Sequence, residues 1–418
     1  RRQGVLSQRT TFTAVACAFC IIANHCDAVA ESPLYGDAVF VGGAPFKARL
    51  QSIDAKGIIG WQLTSGEAKK SPLADLCLWG QFVEPRAQSQ VVLADGSLIA
   101  AEVIAVDKEH LSADWALGGE FKLPLEWVGG ILLAPPVDRQ AADALRFRLH
   151  RSDATATRSS KDDSDRLILL NGDELAGEIL SLDENAVKIR TAAGEMTIAK
   201  EKIAAASFNP SLAAKPNPAD ARVWVGTNDG SRILASSVVI EGNAAKLKLA
   251  GGVSLSVPSS KIVAIQPLAG RTIYLSDLKP AGYQHIPFLD LSWPYKTDRN
   301  VLGTQLRAGG RLFVKGLGMH SAARLTYNLD KPYRTFAAEA AIDDQTGGRG
   351  SAIVRVYTDD GSGAWQLKFE SPIIRGGASA APISVDLSGA KRLSLLVDFA
   401  DHGDEQAHAD WLNARLLP

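Results

Sequence analysis

Cysteine is scarce in this chain of 418 residues. It holds four, and Cys17, Cys20 and Cys26 all fall within the first 30 positions. If that stretch is an export signal, Cys77 alone remains, and no intrachain disulfide can form in the mature protein. Cys17-Ala18-Phe19-Cys20 has CxxC spacing but lies in an apolar stretch without a second ligand pair, so it is read as no metal site. An excess of positive charge is also missing. The 45 Lys+Arg stand against 46 Asp+Glu, which leaves little to neutralise phosphates and argues against nucleic acid as a partner. Catalytic signatures are lacking as well: no P-loop, GxSxG elbow, HExxH or dinucleotide fingerprint occurs. The expectation is a protein that is not an enzyme.

What is present is a foldable composition, 46% hydrophobic and 22% charged, long enough for about two to four domains. Arg1, Arg2 and Arg9 precede an uncharged apolar run at 10–23, and Ala28-Val29-Ala30 follows with small residues where a signal peptidase cuts. The run is short of the roughly 20 residues of a membrane span. Residues 1–30 are therefore expected to be a signal peptide. The mature chain would be exported (periplasmic, cell-surface or secreted) with no stable membrane span; a retained signal anchor is the alternative.

Four self-similar units organise the middle. They begin at Phe46, Val91, Leu167 and Val223, the first being the weakest. Each reads as a short apolar strand, a tight turn such as Asp95-Gly96, Asn171-Gly172 or Asp229-Gly230, two alternating strands, a Gly-led turn and a final strand. Such short strands predict tandem small β-barrel-like units of Sm-like or SH3-like type, two in 31–136 and two in 167–270. Turn chemistry accounts for the Asp and Asn of the hairpins. Residues 138–149 predict a short amphipathic helix within a 137–166 linker whose 151–165 stretch is polar, and 211–220 reads as a second linker.

From Arg271 the strands lengthen. Candidates at 312–314, 324–329, 335–342, 352–358, 365–370, 383–387 and 392–399, with Asp/Gly-rich loops between them, predict a β-sandwich of jelly-roll type over 271–418. The whole chain is expected to be all-β, with no long helices alternating with strands as a parallel α/β enzyme would need.

Tyr274 opens this part with YLSDLKPAGY, and LFVKGLGMHSAARLTYNLDKPYRTFAAEAAIDD follows at 312–344, then VRVYTDDGSGAW at 354–365 and HADWLNARL at 408–416. In this order the segments resemble the NPCBM family, a carbohydrate-binding module appended to glycoside hydrolases and found in many secreted bacterial proteins. The resemblance covers about 271–418 and implies a glycan partner. One departure is Ala341, where the family usually has Gly before the Ile-Asp of that loop.

Five residues are candidates for contacting sugar: Trp293, His320, Asp343, Asp344 and Trp365. His320 sits in the most distinctive motif, though a histidine starting a strand also serves as a core hydrogen-bonding group. Trp293 and Trp365 lie in loops, and an exposed indole is the best platform for the C–H face of a sugar; the alternative for each is core packing. Trp411 is expected in the core. Asp343 and Asp344, adjacent in sequence, fit a turn or ion site better than an acid/base pair. Asp401, Asp404 and Asp410, with His402 and His408 among them, either hold a structural calcium, as related modules can, or form a solvated acidic loop.

The sequence thus predicts an exported, non-catalytic carbohydrate-binding protein whose units space or scaffold the sandwich. A structural protein with cell-surface protein partners is the first alternative, and a glycoside hydrolase a weaker one.

Overall fold

Hairpins close where the sequence places them: Asp95-Gly96 lies between strands Gln90–Leu93 and Leu98–Ile99, Asn171-Gly172 between Asp165–Leu169 and Glu174–Leu182, and Asp229-Gly230 between Val223–Thr227 and Arg232–Glu241. Gly96, Gly172 and Gly230 all take positive φ, the region where glycine is unstrained. The structure, a computed structural model, describes residues 34–150, 164–215, 222–287, 291–401 and 403–418. The signal-like segment 1–30, most of the 151–165 stretch, part of the 211–220 linker and His402 lie outside the described residues.

The chain is nearly all-β. Between residues 36 and 267 one order of elements recurs four times: strands, a one-turn 3-10 segment, and a last strand. The 3-10 turns are Leu73–Asp75, Leu125–Trp127, Lys200–Lys202 and Ser259–Lys261. Within the first unit the last strand, Leu76–Gly80, pairs with the first, Gly36–Phe40, which pairs in turn with Phe46–Ile53, Ile58–Leu63 and Ala68–Pro72. Bulges interrupt the equivalent long strands near Leu50, Val103, Ile179 and Ala235. A bulge bends and over-twists a strand, which curls each five-stranded sheet.

The units pair through their last strands. Ile265 lies opposite Trp79, joining the fourth unit to the first, and Ile131 lies opposite Ala206, joining the second to the third. Each of these is the fourth residue after its 3-10 turn, so both pairs meet about the same position, as an approximate two-fold requires. The second and fourth units exchange matching bonds. Ser97 Oγ accepts from Leu234 N–H at 2.9 Å, and Ser231 Oγ accepts from Ala100 N–H at 3.0 Å. One buried cluster, including Trp61, Trp79, Trp115, Leu182 and Ile240, runs through all four units. Asp229 does more than turn chemistry asks: besides capping Thr227 and Ser231, it accepts from the Trp115 indole at 2.7 Å.

The described residues contain one α-helix, Arg139–Leu149, capped by Asp138 accepting from Ala141 N–H. No helix among the described residues is long and apolar enough to cross a membrane.

Residues 273–417 form two facing sheets. In one, Gly316–His320, His408–Leu417, Thr335–Ile342 and Ala381–Asp386 lie side by side; in the other, Gly282–His285, Ala323–Asn328, Arg392–Phe399, Ser351–Asp359 and Gln366–Glu370 do so. Their inner faces bury Tyr327, Phe336, Leu395 and Trp411 in a second core, the core placement expected of Trp411. A hairpin of Leu306–Ala308 and Arg311–Phe313 covers the outer face of the first sheet through Leu306, Phe313, Ala341 and Leu412.

That hairpin also meets the five-stranded units. Arg307 is 7% exposed and ion-pairs with Glu84 and with Asp143 of the helix. Phe82 bridges to Leu312, and Gln266 donates to Asn413 Oδ1 at 3.0 Å. Leu34 to Pro418 accordingly make one compact unit.

Candidate functional site

Strand alternation builds the site. Met319 and Ala409 point into the sandwich core, so their neighbours His320 and His408 face outward. The two histidines lie directly opposite each other across the Gly316–His320 and His408–Leu417 ladder, at the end of the sheet beyond the covering hairpin. Their rings are 5.4 Å apart.

Trp293 completes the group. Its indole stacks on His320 at 4.9 Å with an interplanar angle of 6°, and is tilted against His408 at 5.7 Å. The loop is held by its backbone: Trp293 N–H donates to His285 Nδ1, and Trp293 O accepts from Tyr283 O–H. His285 Nε2–H then donates to Ser321 O, which also accepts from His320 Nδ1–H at 2.7 Å. Those carbonyl contacts fix the tautomer of His320 and leave its Nε2 as an acceptor.

Around these rings is an open cleft of about 520 Å3, lined also by Leu291, Leu302, Gln345, Arg349, Asp404 and Gln406, with Gln140 of the helix at its edge. Gln345 Oε1 accepts from Asn300 Nδ2 and Thr304 Oγ1, which fixes the amide. The rim is set by a close approach at Gly350, where a Cβ would stand 2.0 Å from Gln406 O and φ is +82°.

Both cleft histidines are uncharged near neutrality. Burial pushes His408 down to about 4, with His320 adding to the effect. Burial also lowers His320, and its bond to Ser321 O and the charge of Asp404 only partly oppose this. The cleft therefore offers one aromatic surface, two neutral imidazole edges, and amide, guanidinium and carboxylate groups at the rim. Such a set hydrogen-bonds hydroxyls and stacks on apolar ring faces.

The predicted site residues divide. Trp293 and His320 come together in the cleft. Asp343 does not reach it: at 1% exposure it accepts from Asn300 Nδ2 and from the N–H groups of Gln345 and Arg307. Asp344 accepts from the N–H groups of Gly309 and Gly310, tying the covering hairpin to its loop. Trp365 is not among the cleft-lining residues, and the guanidiniums of Arg324 and Arg392 lie over its ring at 4.6 and 5.0 Å. Both cations stack on the Trp365 ring, which stays half-exposed.

The calcium set does not assemble. Asp401 is paired with Arg375 at 2.6 Å, Asp404 lines the cleft, and Asp410 is buried in the central strand opposite Gly318. Burial, then the Asp343 carboxyl beside it, raises Asp410 well above the ordinary carboxylate range, and neither of its carboxyl oxygens has a hydrogen-bond partner among the described residues. No group of three His, Cys, Asp or Glu suited to a metal occurs among the described residues.

His408, Gln345, Arg349, Gln406 and Gln140 were not assigned to a sugar face from the sequence. The outward alternation of His408 opposite His320 was the available signal; Gln140 comes from a distant helix and left none.

Residues 271–417 match the family model of the NPCBM/NEW2 domain. Over 115 residues the chain is 36% identical to a protein of Renibacterium salmoninarum named "Putative endo-alpha-N-acetylgalactosaminidase", a match covering 28% of this chain and 7% of that one. Less than a tenth of that curated relative is thus spanned. Among solved structures, the CBM51-2 and INT domains of Clostridium perfringens ZmpB are 25% identical with a TM-score of 0.31, over 43% of this chain and 36% of that one. The CBM51 of a Clostridium perfringens GH95 protein, solved with methyl-galactose, is 21% identical with a TM-score of 0.31, over 35% of this chain and 99% of that one.

Proposed function

We propose that this chain, whose residues 271–417 match the NPCBM/NEW2 domain, is an exported, non-catalytic carbohydrate-binding protein with its sugar site in the Trp293–His320–His408 cleft. The observation that carries the proposal is the Trp293–His320 stack. One indole face rests on the imidazole at 4.9 Å, while the residue stays half-exposed on a cleft of about 520 Å3. The free face can take the C–H side of a sugar ring. His320 Nε2, Arg349, Asp404 and Gln406 then meet its hydroxyls.

The near-neutral charge balance favours a neutral glycan at this site and no nucleic acid. An open cleft of this kind gains little after desolvation, so the affinity is modest. The five-stranded units space or scaffold the sandwich, and export rests on the signal-like residues 1–30. Non-catalytic action is favoured by chemistry: among the described residues that line the cleft, Asp404 is the one carboxylate, and a glycosidase needs a pair.

A glycan array probed with the full chain, with calcium and again with chelator, tests this. Saturable binding, unchanged by chelator, is expected, because Asp401 is paired with Arg375 and no group of three metal-suited side chains occurs among the described residues. A folded chain that binds no glycan under either condition would refute the proposal.

A further inference from the structure

A second and larger cavity, about 730 Å3, lies between the five-stranded units and the sandwich and shares no lining residue with the Trp293 cleft. Its most unusual member is Arg232, on the strand Arg232–Glu241 of the fourth unit. Arg232 is only 9% exposed, yet no carboxylate lies within ion-pair distance of it among the described residues. Its side-chain hydrogen bond goes from Nη1 to the neutral amide oxygen of Gln305 at 2.9 Å. A guanidinium carries five N–H donors, so most of its capacity is unused among the described residues, and the residue lines the cavity.

Buried charges are ordinarily paired, and the neighbouring arginines obey that rule. Arg307 takes Glu84 and Asp143, and Arg146 takes Asp143 and the Gln90 amide oxygen. The nearby carboxylate of Asp143 is therefore already engaged. Desolvation first, and then the charge of Arg146, pushes Arg232 down to about 9, so it stays a cation at neutral pH in a site that disfavours it.

The rest of the lining extends the pattern. Arg146, Arg299 and Lys296 join Arg232, against the carboxylates of Asp95 and Asp298. Asp298 is already paired with Lys315 at 2.7 Å, and burial raises Asp95 above the ordinary range. The lining thus carries four basic side chains against two carboxylates. Trp224 and Tyr295, both half-buried, also line it and give flat apolar surfaces beside the cations.

We infer that this cavity is a second binding site, taking an acidic saccharide whose carboxylate pairs with Arg232 and whose ring packs against Trp224 or Tyr295. A planar carboxylate matches the guanidinium fork two bonds at a time. The aromatic walls select a sugar acid over a bare ion.

Calorimetric titration of the full chain with glucuronic acid, with glucose and inorganic sulfate as comparisons, tests the inference. Glucuronic acid saturates, at least ten-fold tighter than either comparison. Arg232→Met weakens it ten-fold or more and keeps array binding at the Trp293 cleft, which separates failure here from failure of the cleft. Lys296→Glu, at the half-exposed edge, weakens glucuronic acid several-fold and decides the matter if Arg232→Met does not fold. The inference is overturned if glucuronic acid does not saturate, or if the folded variants bind it as the native chain does. Sulfate bound as tightly as glucuronic acid overturns it too, leaving an adventitious ion only.

Discussion

His408 links stability to pH more directly than any other residue of the cleft. Its ordinary value near 6.5 falls to about 4 in the fold, first through burial and then through His320. The unfolded chain therefore binds a proton between these two values that the folded chain refuses. The stabilisation is fully present above about 6.5 and is lost as pH falls through about 4. At its full extent it is on the order of 3 kcal/mol. His408→Asn removes this titration, so the variant's melting temperature should fall less steeply from pH 6.5 to 4 than the native one. Parallel acid limbs in thermal melts of the two proteins would refute the assignment. This residue also marks how far the sequence can be read. His320 stands in a recognisable motif, but its partner is 88 positions away, and only the strand register places them opposite each other. Trp365 is a different case: it stands apart from the cleft, and Arg324 and Arg392 lie over its ring, contacts that no local pattern in the sequence encodes.

Among the elements, the Asp-Gly-Ser hairpins of the second and fourth units act as a matched pair. Ser97 and Ser231 each accept from a backbone N–H of the other unit, and both are fully buried. Removing either hydroxyl strands a buried donor, at about 1–3 kcal/mol. Ser97→Ala and Ser231→Ala should therefore destabilise the chain by similar amounts in urea melts, since the reciprocal bonds put the two hydroxyls in matching settings. A clear difference between them, with one variant at native stability, would contradict that equivalence. The hairpins themselves were legible, because Asp-Gly and Asn-Gly turns between apolar strands carry a local signal. Strands 335–342 and 392–399 were also placed to the residue, between Asp/Gly-rich loops. The pairing of last strands was not legible. Ile265 opposite Trp79 and Ile131 opposite Ala206 depend on how separate sheets meet, which no local pattern encodes.

At the scale of the molecule, Arg307 ties the sandwich to the units that precede it. Burial acts to raise Asp143, but the hydrogen bond and charge of Arg307, with Arg146, outweigh it and hold the carboxyl below its ordinary range. Arg307→Met would leave Asp143, 5% exposed, with half of its compensation gone, and breaking a buried pair in this way costs about 3–5 kcal/mol. The expected result is a large loss of stability, with the sandwich melting apart from the units in calorimetry where the native chain shows one transition. A single unshifted transition in Arg307→Met would show that the junction contributes little. The same junction explains why the full chain, and not 271–418 alone, is the right object for binding work: the fragment would bare Leu312, Arg307 and Asn413, which are buried against the units. The most direct test of the sugar site is the dissociation constant of the strongest array glycan, measured for the native chain, Trp293→Ala and Trp365→Ala. The cleft predicts a loss of ten-fold or more in Trp293→Ala and native affinity in Trp365→Ala. Native affinity in Trp293→Ala, with the loss falling on Trp365→Ala, would contradict it.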